Sequence, residues 1–386
     1  MRADSSWQIT RIACAASAYA SARVNPHDQR AYWLLLSMAA GIGPVRFQRL
    51  LEICGDARGA WLASDLELAA AGLERRTIES LRHLRTRWTP ETATARLARL
   101  GITALTLLDP DYPEPLRHIT DPPPVLFVRG TLLPQDADAV ALVGTRRATS
   151  YGLAVAERLA RELASAGVTV VSGLARGIDT LAHRGAIEAG GRTLAVLANG
   201  LDQVYPPGNA SLAHRIVEDG AGALVSEFPP GVPPDALNFP RRNRLISGLS
   251  RATVIVEAGE RSGALITADF ALEQGREVFA VPGSILSPLS AGPNTLLKQG
   301  ATPVTSAQDI LDALGTQPLE TPLARDVPAL APDEMRVWDA LGGEPRHIDE
   351  LARALGQAAG ELSATLVVLE LKGLARQVGA MTYARP

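Results

Sequence analysis

Lysine is nearly missing from this chain: of 386 residues only Lys298 and Lys372 are lysines, although Lys plus Arg total 38. Positive charge therefore rests on arginine, whose planar fork can grip a phosphate through two hydrogen bonds at once. Neither lysine stands in a G-x-x-x-x-G-K-[ST] frame, which excludes a Walker-type nucleotidase. Cysteine is as scarce. Cys14 and Cys54 cannot build a zinc cluster alone, and the six histidines bring no H-E-x-x-H or paired C-x-x-C, so neither a metal nor a cofactor is expected. A basic excess is missing too, since 41 Asp plus Glu set against 38 Lys plus Arg leave a net charge of -3. Any polyanion site must then be local. The apolar run at residues 31–40 is too short for the ~20 residues a membrane span needs, so no membrane association is expected.

What remains is ordinary globular stock, 46% hydrophobic and 20% charged, and a length of 386 residues fits two or three domains at ~150 residues each. Residues 1–27 read as a leader without packed structure. Ala20-Ser21-Ala22 imitates a cleavage site, but residues 12–22 are rich in Ala and Ser without leucine, and Asp4 and Arg11 interrupt a signal-peptide pattern. A cytoplasmic location is the resulting expectation.

Residues 28–106 carry a helical apolar pattern, with Trp33, Leu34, Leu36, Phe47, Leu50, Leu81, Leu84 and Leu97 recurring on one face. Gly41-Ile42-Gly43-Pro44 breaks it, either as a tight corner or as a helix-hairpin-helix turn offering N–H groups to a phosphate. A proline-dense connector follows from Leu107, too rich in proline for helix. Beyond it, uniformly apolar runs at 125–128, 139–143, 168–171, 194–197, 223–225, 253–256 and 278–281 alternate with helix-length segments. Strands buried on both faces read this way, so an α/β fold with a mostly parallel, Rossmann-like sheet is expected over 107–317. Residues 318–332 hold four prolines and read as a linker. Three helical patterns and a glycine-flanked hairpin over 333–386 make a winged helix, whose groove-reading segment 361–370 carries two glutamates and no arginine.

In an open α/β sheet, ligands bind at the carboxyl ends of the strands. There the chain places Gly144, Thr145, Arg146 and Arg147, then Gly173, Arg176 and Gly177, then Ser262 and Gly263, all in turns that open helices. Such helix starts collect anions. Arg241, Arg242, Asn243 and Arg244 open another helix as the densest positive cluster of the sequence, read either as a solvated face or as part of a phosphate-backbone site. The turns do not match G-x-G-x-x-G, which disfavours a dinucleotide. No G-x-S-x-G surrounds Ser172, Ser226 or Ser262, His183 and His214 read as packing or surface residues, and Asp179 and Glu257 are the acids to weigh for general-base work.

In chain order, Val143-Gly144-Thr145-Arg146 with Tyr151-Gly152, Ser172-Gly173-Leu174-Ala175-Arg176-Gly177-Ile178-Asp179, Gly200-Leu201-Asp202 with Tyr205-Pro206, Ser226-Glu227-Phe228-Pro229, Phe239-Pro240 through Arg244, Ser262-Gly263-Ala264-Leu265-Ile266-Thr267 and Val281-Pro282-Gly283 resemble the DNA-processing protein A (DprA, also called Smf) family. The resemblance spans about residues 107 to 305. It implies a cytosolic, non-enzymatic binder of single-stranded DNA that protects incoming strands in natural transformation and helps load the RecA recombinase. It also implies an extended Rossmann-like core that forms a homodimer, flanked by a sterile-alpha-motif-like helical domain and a winged helix. Arg146 and the Arg242-Asn243-Arg244 cluster, with the Gly144 and Gly173 turns, would form the strand pocket, and the region holding Leu296 and Leu297 the dimer surface. Pro207 stands where family members often carry lysine, a contact that Arg241 could supply instead. The same turns resemble those of Rossmann enzymes of the lysine-decarboxylase-like group, so hydrolysis of a nucleoside monophosphate is the alternative.

Overall fold

The computed structural model describes residues 26–316, 330–342 and 345–385. They fall into two compact units, one ending at residue 316 and one beginning at residue 330. The expected leader lies outside the described residues except for Pro26 and His27, and so does most of the expected linker.

The first unit opens with helices Pro26–Ser37, Pro44–Cys54, Ala57–Leu62, Asp65–Ala70, Arg75–Arg87 and Pro90–Arg99. Local chemistry sets their ends. Gly41 adopts φ +90°, a conformation that costs glycine nothing, and Pro44 occupies the first turn of the next helix, where no N–H is needed. Ser64 and Glu67 form a reciprocal capping box, and Asp56 caps Gly59 N. The periodic apolar residues converge on one core in which Leu35, Leu36, Leu50 and Leu81 are fully buried and Trp33 meets Phe47 at 4.8 Å. Each such side chain contributes ~1.5–3 kcal/mol of burial.

A nine-stranded sheet follows: β1 Thr103–Thr106, β2 Val125–Gly130, β3 Ala139–Val143, β4 Thr169–Ser172, β5 Thr193–Val196, β6 Gly222–Ser226, β7 Ala252–Ile255, β8 Glu277–Ala280 and β9 Thr302–Pro303. Its spatial order is β1-β2-β6-β5-β4-β3-β7-β8-β9. From β6 to β9 all neighbours are parallel, and every residue of β3 through β7 is buried, as uniformly apolar runs require. β1 and β2 pair antiparallel at the β6 edge, and β1 already belongs to the sheet four residues before the expected boundary at 107. The proline-dense connector is not devoid of helix: Glu114–Arg117 makes one turn, with Pro115 in the first-turn position that tolerates it.

The second unit holds helices Pro332–Ala340, Ile348–Leu355 and Ala359–Leu371 with strands β10 Arg346–His347, β11 Arg376–Gly379 and β12 Thr382–Ala384, in the order β10-β12-β11. It is a winged helix, closed around Val337, Leu351, Leu362, Leu366 and Leu369.

Candidate nucleic-acid interface

Strand order reverses between β3 and β7. The chain winds from β3 through β4 and β5 to β6 on one side, then returns to place β7 and β8 on the other, and residues of the turns after β3 and β7 line a crevice at the carboxyl edge. The loop after β3 holds Gly144, Thr145, Arg146 and Arg147. Glu257, at the end of β7, pins it: Thr149 N and Thr149 Oγ1 donate to the Glu257 carboxylate at 2.9 and 2.6 Å, and Thr145 N donates to Glu257 O at 2.7 Å. Glu257 is thus a brace for the arginine loop. The turn before helix Ile178–Glu188 packs beneath, and a Cβ on Gly177 would collide with Thr145 O.

Two adjoining clefts occupy this edge. One, of 430 Å³, is lined by Gly144, Thr145, Arg146, Arg147, Asn243 and Gly263 among others. The other, of 310 Å³, is lined by Arg146, Arg147, Gly173, Arg176, Tyr205 and Phe239 among others. Arg146, Arg147 and Arg176 are exposed there. The rings of Tyr205 and Phe239 lie 5.8 Å apart at 50°, and the Arg146 guanidinium sits 4.9 Å from the Phe239 ring. Helix Gly263–Glu273, capped by Ser262 Oγ on Ala264 N at 3.3 Å, opens on the larger cleft, adding the positive end of its dipole. Exposed arginines near a helix N-terminus and a pair of aromatic rings can bind phosphates and stack bases.

Beneath the clefts lies a buried network. Arg242, 4% exposed, donates from Nη1 to Gly173 O at 2.8 Å and to Val196 O, and from Nε to Asn243 Oδ1 at 3.2 Å. Burial pulls its pKa down to about 10, against the opposing effect of Asp179. The Asp179 carboxylate accepts from Gly173 N at 3.1 Å and Ala175 N at 3.3 Å, and burial raises its pKa while Arg242 and these donors oppose the rise. His183 is fully buried. Thr193 Oγ1 donates to Val170 O at 2.7 Å, so in its 2.6 Å contact with His183 it accepts from Nδ1–H, leaving Nε2 unprotonated and without a partner among the described residues. Burial, and then Arg242, lower the His183 pKa to about 3.

This geometry divides the sequence candidates. Arg242, expected to face the strand directly, is a strut only 4% exposed: it lines the larger cleft, and its hydrogen bonds go to the carbonyls of Gly173 and Val196 and to Asn243 Oδ1. Arg244 leaves the site altogether: two residues on along a helix it points to the far side, where it pairs with Glu227 and with Asp121 at 3.1 Å and is 7% exposed. Asn243 lines the larger cleft while its Nδ2 donates to Gly263 O at 3.0 Å. Arg241 is exposed but lies 5.6 Å from the Phe228 ring and lines neither cleft; Arg146, Arg147 and Arg176 are the arginines that share the smaller cleft with Pro207. Leu296 is buried in the sheet core, and Leu297 packs half-buried against it. Sequence reasoning missed Tyr205 and Phe239 as site residues, although both stood in quoted motifs beside prolines. The serines considered as nucleophiles are committed elsewhere: Ser172 Oγ donates to Leu142 O at 2.7 Å and Ser226 Oγ to Asn199 O at 2.8 Å.

Comparison with known proteins bears on the same stretch. The family model described as DNA recombination-mediator protein A matches residues 103–315, more than half of the chain, and the DprA winged helix domain matches residues 321–381. The chain belongs to the DprA/Smf family. The Smf protein of Synechocystis is 34% identical over 93% of this chain and 99% of its own length. Escherichia coli Smf is 46% identical over 68% of this chain and 72% of its own. The X-ray structure of DprA from Streptococcus pneumoniae superposes with TM-score 0.62 at 34% identity, covering 75% of this chain and 98% of that one. Of the turns by which the sequence resembles the DprA/Smf family, those holding Gly144, Gly173 and Gly263 line the two clefts.

Proposed function

We propose that this DprA/Smf chain binds single-stranded DNA along the paired clefts, without covalent chemistry, and as a cytoplasmic homodimer hands the strand to RecA in natural transformation. The observation that carries the binding reading is the convergence of Arg146, Arg147 and Arg176 with the Tyr205–Phe239 ring pair in one crevice. Aromatic rings lining a cleft beside arginines, Tyr205 exposed and Phe239 half-buried, suit unpaired bases, whose own faces are free, and not the closed stack of a duplex. Membership of a recombination-mediator family supports the step toward RecA. The commitment of Ser172 and Ser226 to backbone carbonyls supports binding over hydrolysis.

The test is fluorescence anisotropy with labelled oligo-dT, run beside an incubation with nucleoside monophosphates analysed by chromatography. Strand binding with unaltered nucleotides is expected. Hydrolysis without strand binding would replace this reading with the enzymatic one, and a RecA filament-assembly assay on strands precoated with a single-strand-binding protein tests the loading step.

A further inference from the structure

Beyond the arginine clefts, on the same carboxyl edge, the loop after β8 carries the two most exposed large apolar side chains among the described residues, Ile285 at 92% and Leu286 at 89%. They are the central pair of a turn closed by Ser287 N donating to Ser284 O at 3.0 Å, with Leu286 N donating to Ser284 Oγ at 3.2 Å. Turn centres ordinarily go to Gly, Pro, Asn, Asp or Ser, so local folding gives no reason for Ile-Leu there. The stem is anchored. Asn294 Nδ2 donates to Gly283 O at 3.0 Å while its Oδ1 accepts from Gly283 N at 3.3 Å, and Ala258 N donates to Leu289 O at 2.7 Å. An anchored stem presenting an apolar tip to solvent has the form of a contact waiting for a partner.

We propose that Ile285 and Leu286 form an apolar station for the unpaired bases of a strand leaving the cleft, extending the site along the β7–β8 side. This rests on the single-strand reading above. Continuity argues for it: Leu289, three residues past Leu286, lines the larger cleft together with the part-exposed Ile266, and exposed Arg261 stands in the neighbouring turn after β7. Once arginines hold the phosphates, the bases must turn toward some other surface, and an apolar tip accepts every base without hydrogen-bond readout.

The test compares wild type with the Ile285→Ser, Leu286→Ser double variant of the full chain. Affinity for a strand of about 6 nucleotides, which the cleft can hold, should stay unchanged. Affinity for one of about 20 nucleotides should fall about tenfold, with an unchanged salt slope because no charge is lost. Long strands whose outer positions are abasic should bind both proteins equally. Equal affinity of the two proteins for the intact long strand overturns the inference, and so does a loss that sedimentation traces to a dimer falling apart, since the tip would then touch a second copy. Failure of the wild type to bind any strand overturns the parent reading and this one with it. An Ile285→Trp variant gives an independent readout, its added fluorescence quenching with the long strand and not the short one.

Discussion

The guanidinium of Arg242 fills the space that a side chain on Gly173 would occupy: a Cβ built on Gly173 comes within 2.6 Å of it, and Arg242 Nη1 donates to Gly173 O at 2.8 Å. The glycine in the turn after β4 and the arginine of helix Asn238–Gly248 are thus one fitted pair. That helix is tied through it to the floor of the site.

Replacing Arg242 should therefore act on stability first. Arg242→Ala removes the bonds to Gly173 O and Val196 O, at ~1–3 kcal/mol for each buried group left without a partner, and also the positive charge that offsets the burial of Asp179. Gly173→Ala should also destabilise, since buried Arg242 has no open side to move to. Adding Asp179→Asn to Arg242→Ala should recover part of the loss, because the stranded carboxylate is gone. An unchanged urea midpoint in Arg242→Ala, with strand binding abolished, would return Arg242 to the role of a direct ligand.

His183 gives the fold an acid limit. Its pKa lies at about 3 in the folded chain and near the ordinary 6.5 when unfolded, so between these values the unfolded state binds the proton and the folded state does not. Stability then falls as pH drops from 6.5, approaching ~1.4 kcal/mol per pH unit from this group alone, and is retained above 6.5. The counter-effects of buried Asp179 and Glu227, both raised by burial, act in the opposite sense as pH rises through the carboxylate range. Denaturation at pH 7.0 and 5.5 of wild type beside His183→Gln gives the histidine share as the difference between the two proteins: the variant should lose less stability on going to pH 5.5, and an identical pH response in both would contradict a neutral, buried imidazole.

Charge and stacking in the clefts should separate in their salt response. Arg146→Ala and Arg176→Ala each remove a phosphate contact, weakening oligo-dT binding and lowering the slope of log K against log salt by ~0.7. Phe239→Leu or Tyr205→Ala should cost ~1–3 kcal/mol while leaving that slope alone. Anisotropy titrations at two salt concentrations distinguish the two classes. Identical slopes in Arg146→Ala and wild type would place the backbone elsewhere.

Much of this architecture was legible in the sequence, for reasons visible in the strands. β2 through β8 lie between covering layers, and their runs read as apolar throughout. β1 and β9 did not: Thr103–Thr106 is partly exposed, and Thr302–Pro303 is two residues long, too short for any period. The antiparallel turn-back of β2 onto β6 also left no mark, because burial on both faces looks the same in either direction. The arginine cluster shows where sequence proximity misleads. Arg241, Arg242 and Arg244 are neighbours on paper, but at 100° per residue a helix sends one to solvent, one into a buried strut and one to the far side. The exposed charge of the clefts comes from two separate loops of the chain, which the sheet order brings together.

The proposed homodimer turns on Leu297. Leu296 is 7% exposed and belongs to the sheet core, whereas Leu297, its neighbour on helix Ala291–Lys298, is half-buried and keeps part of its surface accessible. If two copies meet there, each dimer carries two arginine clefts, and a strand long enough to reach both binds the second at high effective concentration. Leu297→Glu should give a folded monomer by light scattering, with short strands bound as before and long strands bound more weakly. Leu296→Glu should instead unfold or strongly destabilise the unit, because it puts a charge into the core. A Leu297→Glu protein that stays dimeric would move the copy–copy contact off this helix, and a wild type that is monomeric at every concentration would remove the avidity argument along with it.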